Sequence, residues 1–150
     1  MTARPEEVRR ELATEWLCKG DKDLAVARFL MTNMHDAAEA IGFHLQQTAK
    51  NYLKGYLTLA GQQPPRTHDI LELRSVVATV DAILAEGAAP LDALNPFAVL
   101  FRYPGPTVII DVSELQPLLA DLDRLRETIA AAICAEADAA ADEADGESHD

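Results

Sequence analysis

The sequence has little of what catalytic and metal-binding signatures are built from. Its two cysteines, Cys18 and Cys134, lack a Cys-x-x-Cys or Cys/His pattern, and we expect both to be buried or half-buried reduced thiols. It contains no glycine-rich phosphate loop, no Gly-x-Ser-x-Gly and no His-Glu-x-x-His motif. The four histidines are scattered. We therefore expect no cofactor and no metal, and we assign no catalytic residue.

Long hydrophobic runs and basic charge are also scarce. No apolar run approaches the roughly 18 residues of a membrane span, and the charged first residues do not resemble a signal peptide, which favours a cytoplasmic protein. Thirteen basic residues against twenty-five acidic ones give a net charge of −12. This balance argues against a protein that binds nucleic acid through bulk electrostatics, since such binding needs clustered cations.

The acidic charge is concentrated at one end of the sequence. Residues 135–150 carry seven carboxylates and no basic side chain. Such a segment is typical of a solvated chain end. We predict a helical domain over residues 1–134, followed by an acidic, frayed tail over residues 135–150.

Helix-forming sequence makes up most of the chain. Alanine and leucine dominate, and the one β-like stretch, residues 107–110, is too short to form a sheet. Helical periodicity, interrupted by glycine and proline, predicts long helices over about residues 5–32, 36–60, 68–85 and 113–137, and a short one over 95–103. The predicted fold class is all-α: an antiparallel up-and-down bundle of four long helices plus one short helix.

Several polar residues share faces with apolar ones. In the first helix, Asp23 falls on the stripe of Leu12, Trp16, Ala27 and Leu30, so we expect its carboxylate to point inward and to need a partner.

The second helix has an apolar stripe of Ile41, Leu45, Thr48, Tyr52, Gly55 and Leu59. Beside it runs a polar stripe of His44, Gln47, Asn51 and Lys54. This polar stripe is either a solvated face or a set of donors for phosphate, carboxylate or an acidic partner helix.

Two further polar residues lie at predicted helix ends. His68 begins the third helix, where free backbone N–H groups favour an anion, although it could equally be a surface histidine. Arg102 ends the short helix, where it either complements the helix dipole or reaches into a polar cleft.

Four segments of the chain together resemble the HEPN-domain family. The run Phe43 to Gly55, FHLQQTAKNYLKG, resembles the family's second helix, and Trp16 followed by Asp23 and Ala27 resembles its first. The segment PPRTHDI at residues 64–70 is similar to its PPKTHDL turn, and residues 95–104 are similar to its late RYP segment. The resemblance spans about residues 12–105 and implies an all-α up-and-down bundle that is often a homodimer.

The function that the resemblance implies is divided. Some HEPN proteins are ribonucleases, many of them toxins, and others are nucleotide- or substrate-binding companions of a minimal nucleotidyltransferase. The ribonucleases carry an arginine followed, after four to six residues, by a histidine. Arg102 has no histidine at that spacing, whereas Arg28 and His35 have it but lie at the end of the predicted first helix, away from the late helix where the family carries the motif. Lys50-Asn51 stands where the family usually has Glu-Lys. We therefore favour a binding module, with a ribonuclease of divergent active site or a purely structural dimerising bundle as alternatives.

These considerations define a set of expected site residues and partners. The expected ligand- or partner-binding residues are Asp23, His44, Gln47, Lys54, His68 and Arg102. We expect a homodimer with a nucleotide ligand and a nucleotidyltransferase partner, in a toxin–antitoxin-like pair. Neither a membrane nor nucleic acid is an expected partner.

Overall fold

The computed structural model describes residues 4–100 and 110–148, and over these ranges it contains helices and no strand. The helices are α1 (Pro5–Asn33), α2 (Ala38–Leu59), α3 (Ile70–Ala78), α4 (Ala82–Gly87), α5 (Phe97–Leu100) and α6 (Val112–Glu147). A 3₁₀ helix, Ala89–Leu94, connects α4 to α5. The all-α class is confirmed. Most of the β-like stretch at residues 107–110 lies outside the described residues.

Helices α1 and α2 form the most extensive helix–helix contact of the fold, and they run antiparallel. Gly20 faces Tyr52, whereas Trp16, four residues earlier, faces Gly55, three residues later. A Cβ atom on Gly20 would overlap the Tyr52 ring. The missing side chain at Gly20, which interrupts the helical pattern in the sequence, therefore lets the tyrosine pack directly on the α1 backbone.

Helix α6 packs against α1 in the antiparallel sense as well. The Arg126 guanidinium donates to both carboxylate oxygens of Asp21, at 2.7 and 2.8 Å, and Arg28 pairs with Asp123 at 2.9 Å. The hydrogen bond from Arg126 lowers the pKa of the Asp21 carboxyl. Bidentate pairs of this kind fix orientation as well as adding energy, so Asp21 and Arg126 set how α6 lies on α1.

The centre of the core is α2, which is buried over most of its length. All members of its predicted apolar stripe are buried: Ile41, Leu45, Thr48, Tyr52, Gly55 and Leu59. The buried face of α6 consists of Leu115, Leu118, Leu119, Leu122, Leu125 and Ile129, whereas Ile133 is only half-buried. Because neighbouring elements cover α2 on several sides, its polar residues also lie at the edge of the core.

The predicted stripe of α1 is wrong in phase. Leu12 is 44% exposed and Trp16 half-buried, and the residues that face the core are Ala13, Leu17, Gly20, Leu24, Ala27 and Met31. The close approach of α2 selects small residues at this contact, so the large side chains that appeared to mark the core lie beside it. Asp23 consequently sits at the border of the α1–α2 contact, half-buried.

The predicted third helix, residues 68–85, is two helices. Asp81 has extended backbone (φ −146°, ψ 91°), and its carboxylate accepts from the Leu84 N–H and the Tyr56 hydroxyl. Asp81 therefore caps the N-terminus of a separate helix, α4. At the other end, α3 begins at Ile70 with Asp69 as its cap, two residues later than the predicted start at residue 68. The bundle therefore has three long helices instead of four.

The last helices also differ from the prediction at their ends. Asn95, where the short helix was predicted to begin, precedes α5 and instead satisfies the N-terminus of another helix: its side chain accepts from the Ile70 N–H and donates to Asp69, which ties the start of α3 to the chain before α5. Helix α6 begins at Val112 with Asp111 as its cap, and it continues to Glu147 instead of ending near residue 137. Its final turns are rich in alanine and glutamate, which favour helix, and most of their side chains are exposed. The proposed division at residue 134 stays a prediction.

Both cysteines lie on the surface. Cys18 and Cys134 are free and exposed, so the expectation that they would be buried or half-buried is wrong, since each falls on the outer side of its long helix. Within residues 4–100 and 110–148, no helix is both long and apolar enough to cross a lipid bilayer.

Candidate functional site

A row of polar side chains follows one face of α2, and we call His44, Gln47, Asn51 and Lys54 the α2 strip. His44 and Gln47 are half-buried, whereas Asn51 and Lys54 are only 6% and 9% exposed. Ten residues separate the two ends, a distance of about 15 Å along the helix. The strip therefore matches an extended ligand better than a single small ion.

Asp23 of α1 organises the N-terminal end of the strip. One of its carboxylate oxygens lies 3.0 Å from Nδ1 of His44, and the other accepts a hydrogen bond from the Asn51 amide at 3.3 Å. The His44 and Asp23 side chains are about one quarter exposed, at 24% and 26%. Because Nδ1 faces the carboxylate, Nε2 is the ring nitrogen left for a further partner.

Lys54 forms the other end of the strip, beside the chain's single tryptophan. Its ammonium group lies 5.7 Å from the centre of the Trp16 ring system, and that of Lys19 lies 5.4 Å from the same centre. Neither lysine forms an ion pair with a carboxylate in the part of the chain that the structure describes. Burial lowers the pKa of the Lys54 amine. Lys54 is thus a desolvated cation whose compensation here is an aromatic ring, a weak partner.

The chain's four lysines all belong to α1 and α2. Lys19 and Lys22 belong to α1, and Lys50 and Lys54 belong to α2. The remaining basic residues are arginines, of which Arg28, Arg74 and Arg126 are paired with aspartates. An otherwise acidic protein therefore carries a local group of ammonium cations at the α1–α2 hairpin.

The two neighbouring glutamines of α2 have different roles. Gln46 is fully buried and donates to the His68 carbonyl at 2.6 Å, which anchors the segment before α3 to α2. Its Oε1 atom is buried and has no hydrogen-bond partner among the described residues. Gln47 faces outward in the middle of the strip, and within the described ranges no hydrogen bond involves its side chain. Gln47 can therefore accept a ligand without breaking an internal bond.

The sequence-predicted residues divide into three groups. The structure brings Asp23 and His44 into direct contact and places Gln47 and Lys54 along the same strip. His68 is exposed at the end of the segment that Gln46 anchors, and it is not part of the Asp23 cluster. Arg102 lies outside the described residues.

Three residues in or beside the α2 strip were not among the site residues expected from the sequence. Asn51 was on the predicted polar stripe, but its bond to Asp23 depends on the α1–α2 register. Trp16 was assigned to the core stripe, and Lys19 was not considered. Spacing in the sequence could have indicated them, because residues three apart are neighbours on a helix surface. Lys19 follows Trp16 by three residues, and Lys54 follows Asn51 by three.

The chemistry of this arrangement is recognition of an anion with hydrogen-bonding groups attached. Ammonium groups bind phosphate as point charges, an amide and an imidazole can each donate or accept, and an indole offers an apolar face. In the described ranges, no group of three or more His, Cys, Asp or Glu side chains is arranged to hold a metal ion.

The fold and the strip define a helical bundle with a polar recognition surface, and comparison with known proteins identifies its family. The family model of the HEPN domain matches residues 13–132. The chain therefore belongs to the HEPN family, and the match covers the whole of α2 and the Asp23 and Trp16 positions of α1. Searches of curated proteins and of solved structures gave no match. Membership in the family supports a nucleotide-related or ribonuclease-like module.

Proposed function

We propose that this HEPN protein is a homodimeric nucleotide-binding module and the companion of a minimal nucleotidyltransferase in a toxin–antitoxin-like pair. The observation that carries the nucleotide-binding part is Lys54, a 9%-exposed cation that lies beside an aromatic ring and forms no ion pair with a carboxylate of the described residues. Taking an ammonium group out of water is costly. A site that bears this cost without an internal counter-ion is suited to an anion supplied by a ligand.

The two ends of the α2 strip suit the two ends of a nucleotide. Lys54 and Lys19 provide the positive charge for the phosphates, and the Trp16 ring lies beside both. His44, held by the Asp23 carboxylate, provides the hydrogen-bonding end, about 15 Å away along α2. Asn51, which also donates to Asp23, lies between the two ends. Polar groups held in place before binding reduce the ordering cost of the complex.

The companion role is supported by the family and by a departure from its nuclease pattern. The segments that resemble HEPN proteins lie within or beside the matched region, and no histidine follows Arg102 at the ribonuclease spacing. We expect a minimal nucleotidyltransferase to be encoded next to this protein and to co-purify with it when both are expressed. A neighbourhood without such an enzyme would contradict the companion role and leave nucleotide binding as a separate question.

Calorimetric titration tests the nucleotide-binding part. The ligands are the four ribonucleoside triphosphates, the corresponding nucleosides and inorganic tripolyphosphate. We expect binding of at least one triphosphate, weaker binding of tripolyphosphate and none of the nucleosides. The charge-matched control is Arg124→Met, which removes a cation from an exposed position of α6. Absence of heat with every triphosphate at millimolar concentration would overturn the proposal.

One observation favours a second candidate, a ribonuclease. Asp23 holds His44 at 3.0 Å, and a carboxylate that orients a histidine is the usual arrangement of a general base. Incubation of RNA with the protein and with His44→Gln distinguishes the two functions. Cleavage by the wild type that the variant loses would establish the ribonuclease, whereas intact RNA with both proteins supports the binding module.

A further inference from the structure

The outer face of α1 carries a row of large apolar side chains that the described chain leaves at least 40% exposed. Val8, Leu12, Val26 and Phe29 are 40%, 44%, 42% and 64% exposed. At 100° per residue they fall in one sector of the helix, on the side away from its buried residues. Single exposed apolar residues are ordinary, but an aligned group on one face marks an interaction surface.

The order of residues along this face is close to symmetric. The apolar pairs stand at the two ends, Val8 with Leu12 and Val26 with Phe29, and charged residues stand between them. Glu15 precedes the middle and Lys22 follows it, and the middle itself holds Cys18 and Lys19, which are both exposed. A sequence with this order is complementary to itself when one copy is reversed.

We propose that α1 packs antiparallel against α1 of a second copy of this chain, about a two-fold axis near residues 18 and 19. This axis places residues opposite each other when their numbers add up to about 37. Val8 then meets Phe29 of the second copy, Leu12 meets Val26, and Glu15 meets Lys22. Each contact occurs twice, as a two-fold interface requires.

Charge complementarity selects this partner and this direction. Parallel packing in register would place Glu15 on Glu15 and Lys22 on Lys22, which is unfavourable, whereas antiparallel packing forms two opposite-charge pairs. Lys19 would bring two cations near the axis. Its ammonium group, however, lies 5.4 Å from the Trp16 ring centre, drawn towards the α2 side of the helix.

The inference rests on the homodimer part of the proposed function and is independent of the nucleotide ligand. The α2 strip and the outer face of α1 are different surfaces, although Lys19 borders both. A monomer can therefore still bind nucleotide, and a protein that binds no nucleotide can still form this dimer. The two proposals fail by different results.

Molar mass in solution tests the interface, measured by light scattering over a concentration series up to about 100 µM. We expect the wild type at about twice 16.3 kDa and Phe29→Glu as a monomer, with at least a tenfold weaker dimer. Ile83→Glu is the matched control, because Ile83 is an exposed apolar residue of α4, 85% accessible and off this face. We expect it to remain a dimer. A monomeric wild type would overturn both this proposal and the homodimer part of the proposed function, whereas a dimer that Phe29→Glu leaves intact would overturn this interface alone.

A charge exchange tests the register, and circular dichroism checks that each variant folds. Glu15→Lys and Lys22→Glu should each weaken the dimer, and the double variant should restore it, because only antiparallel pairing brings these two positions together. A short bis-maleimide should cross-link the dimer through Cys18 in a Cys134→Ser background, but not through Cys134 in a Cys18→Ser background. Equal cross-linking through both cysteines, or a double variant no better than the singles, would refute the antiparallel register.

Discussion

At the scale of single residues, the most informative side chain is Lys54. It is more buried than any of the strip's other members except Asn51, and among the described residues its charge faces the Trp16 ring and forms no ion pair. Residues that cost stability where they stand are found at functional sites more often than elsewhere. His44 differs, because Asp23 satisfies one of its nitrogens within the protein.

Lys54→Met should separate function from stability. The methionine keeps an unbranched side chain, one atom shorter than lysine, and removes the charge, so the lost cation–π contact and the relieved desolvation oppose each other. We expect the free energy of unfolding to change by less than about 1 kcal/mol, while nucleotide affinity falls at least about tenfold, or 1.4 kcal/mol. Urea denaturation and calorimetry measure the two quantities. A variant that unfolds easily yet binds as well as the wild type would show that Lys54 is structural.

At the scale of helices, the α1–α2 contact determines the site. Asp23 reaches both His44 and Asn51 because small residues of α1 let the two helices approach closely. The Thr48 hydroxyl, at 3.3 Å from the Gly20 carbonyl and 2.9 Å from the His44 carbonyl, lies inside the same contact. A change in helix separation would therefore disturb the hydrogen-bonding end of the strip without altering any of its residues.

Gly20→Ala tests this close approach. The added methyl group would overlap the ring of the buried Tyr52, and overpacking of this kind costs about 1–3 kcal/mol. Gly87→Ala is the matched control, since nothing lies within 4 Å of a Cβ at that position of α4. It should be neutral or stabilising by up to about 1 kcal/mol, because alanine has the higher helix propensity. Equal stability of the two variants in denaturant titrations would refute the tight contact.

The contact between α1 and α6 should depend on pH through Asp21. Its hydrogen bond from Arg126 lowers the carboxyl pKa in the folded protein below the ordinary value of 3.8. A lowered pKa contributes stability above the unfolded value, and this contribution disappears as the pH falls through the folded value. Asp21→Asn should therefore melt at a lower temperature than the wild type near pH 7, and the difference should shrink below pH 4. A constant difference across this range would contradict the assignment.

At the scale of the whole molecule, the distribution of charge distinguishes the two family functions. The net charge of −12 repels a long polyanion such as RNA. Screening limits that repulsion to roughly 8 Å at physiological ionic strength, so a small anion can still reach the lysines of the α1–α2 hairpin. The acidic end of α6 adds to the repulsion of RNA. Its Glu136 and Glu143 line a shallow cavity of about 390 Å³ together with Arg9 and Arg10 of α1.

The comparison of sequence with structure shows which features local patterns determine. The helical class and the apolar stripe of α2 follow from composition and periodicity, because α2 is covered on several sides and its pattern is unambiguous. The phase of α1 was missed because the small residues Ala13, Gly20 and Ala27 alternate with larger ones on its core face, which leaves the apolar pattern weak. The break at Asp81 was missed because its carboxylate caps α4 within a continuous helical pattern. The Asp23–Asn51 bond depends on helix register, which one sequence does not determine.

Fluorescence of Trp16 during a nucleotide titration tests the central claim most directly. Trp16 is the chain's single tryptophan and contacts the cation that the account assigns to the phosphates, so no labelling is required. We predict a saturable change in emission with a nucleoside triphosphate, absent in Lys54→Met and retained in Arg124→Met, after correction against free tryptophan amide. Emission that stays constant while calorimetry detects binding would place the ligand elsewhere and contradict the account.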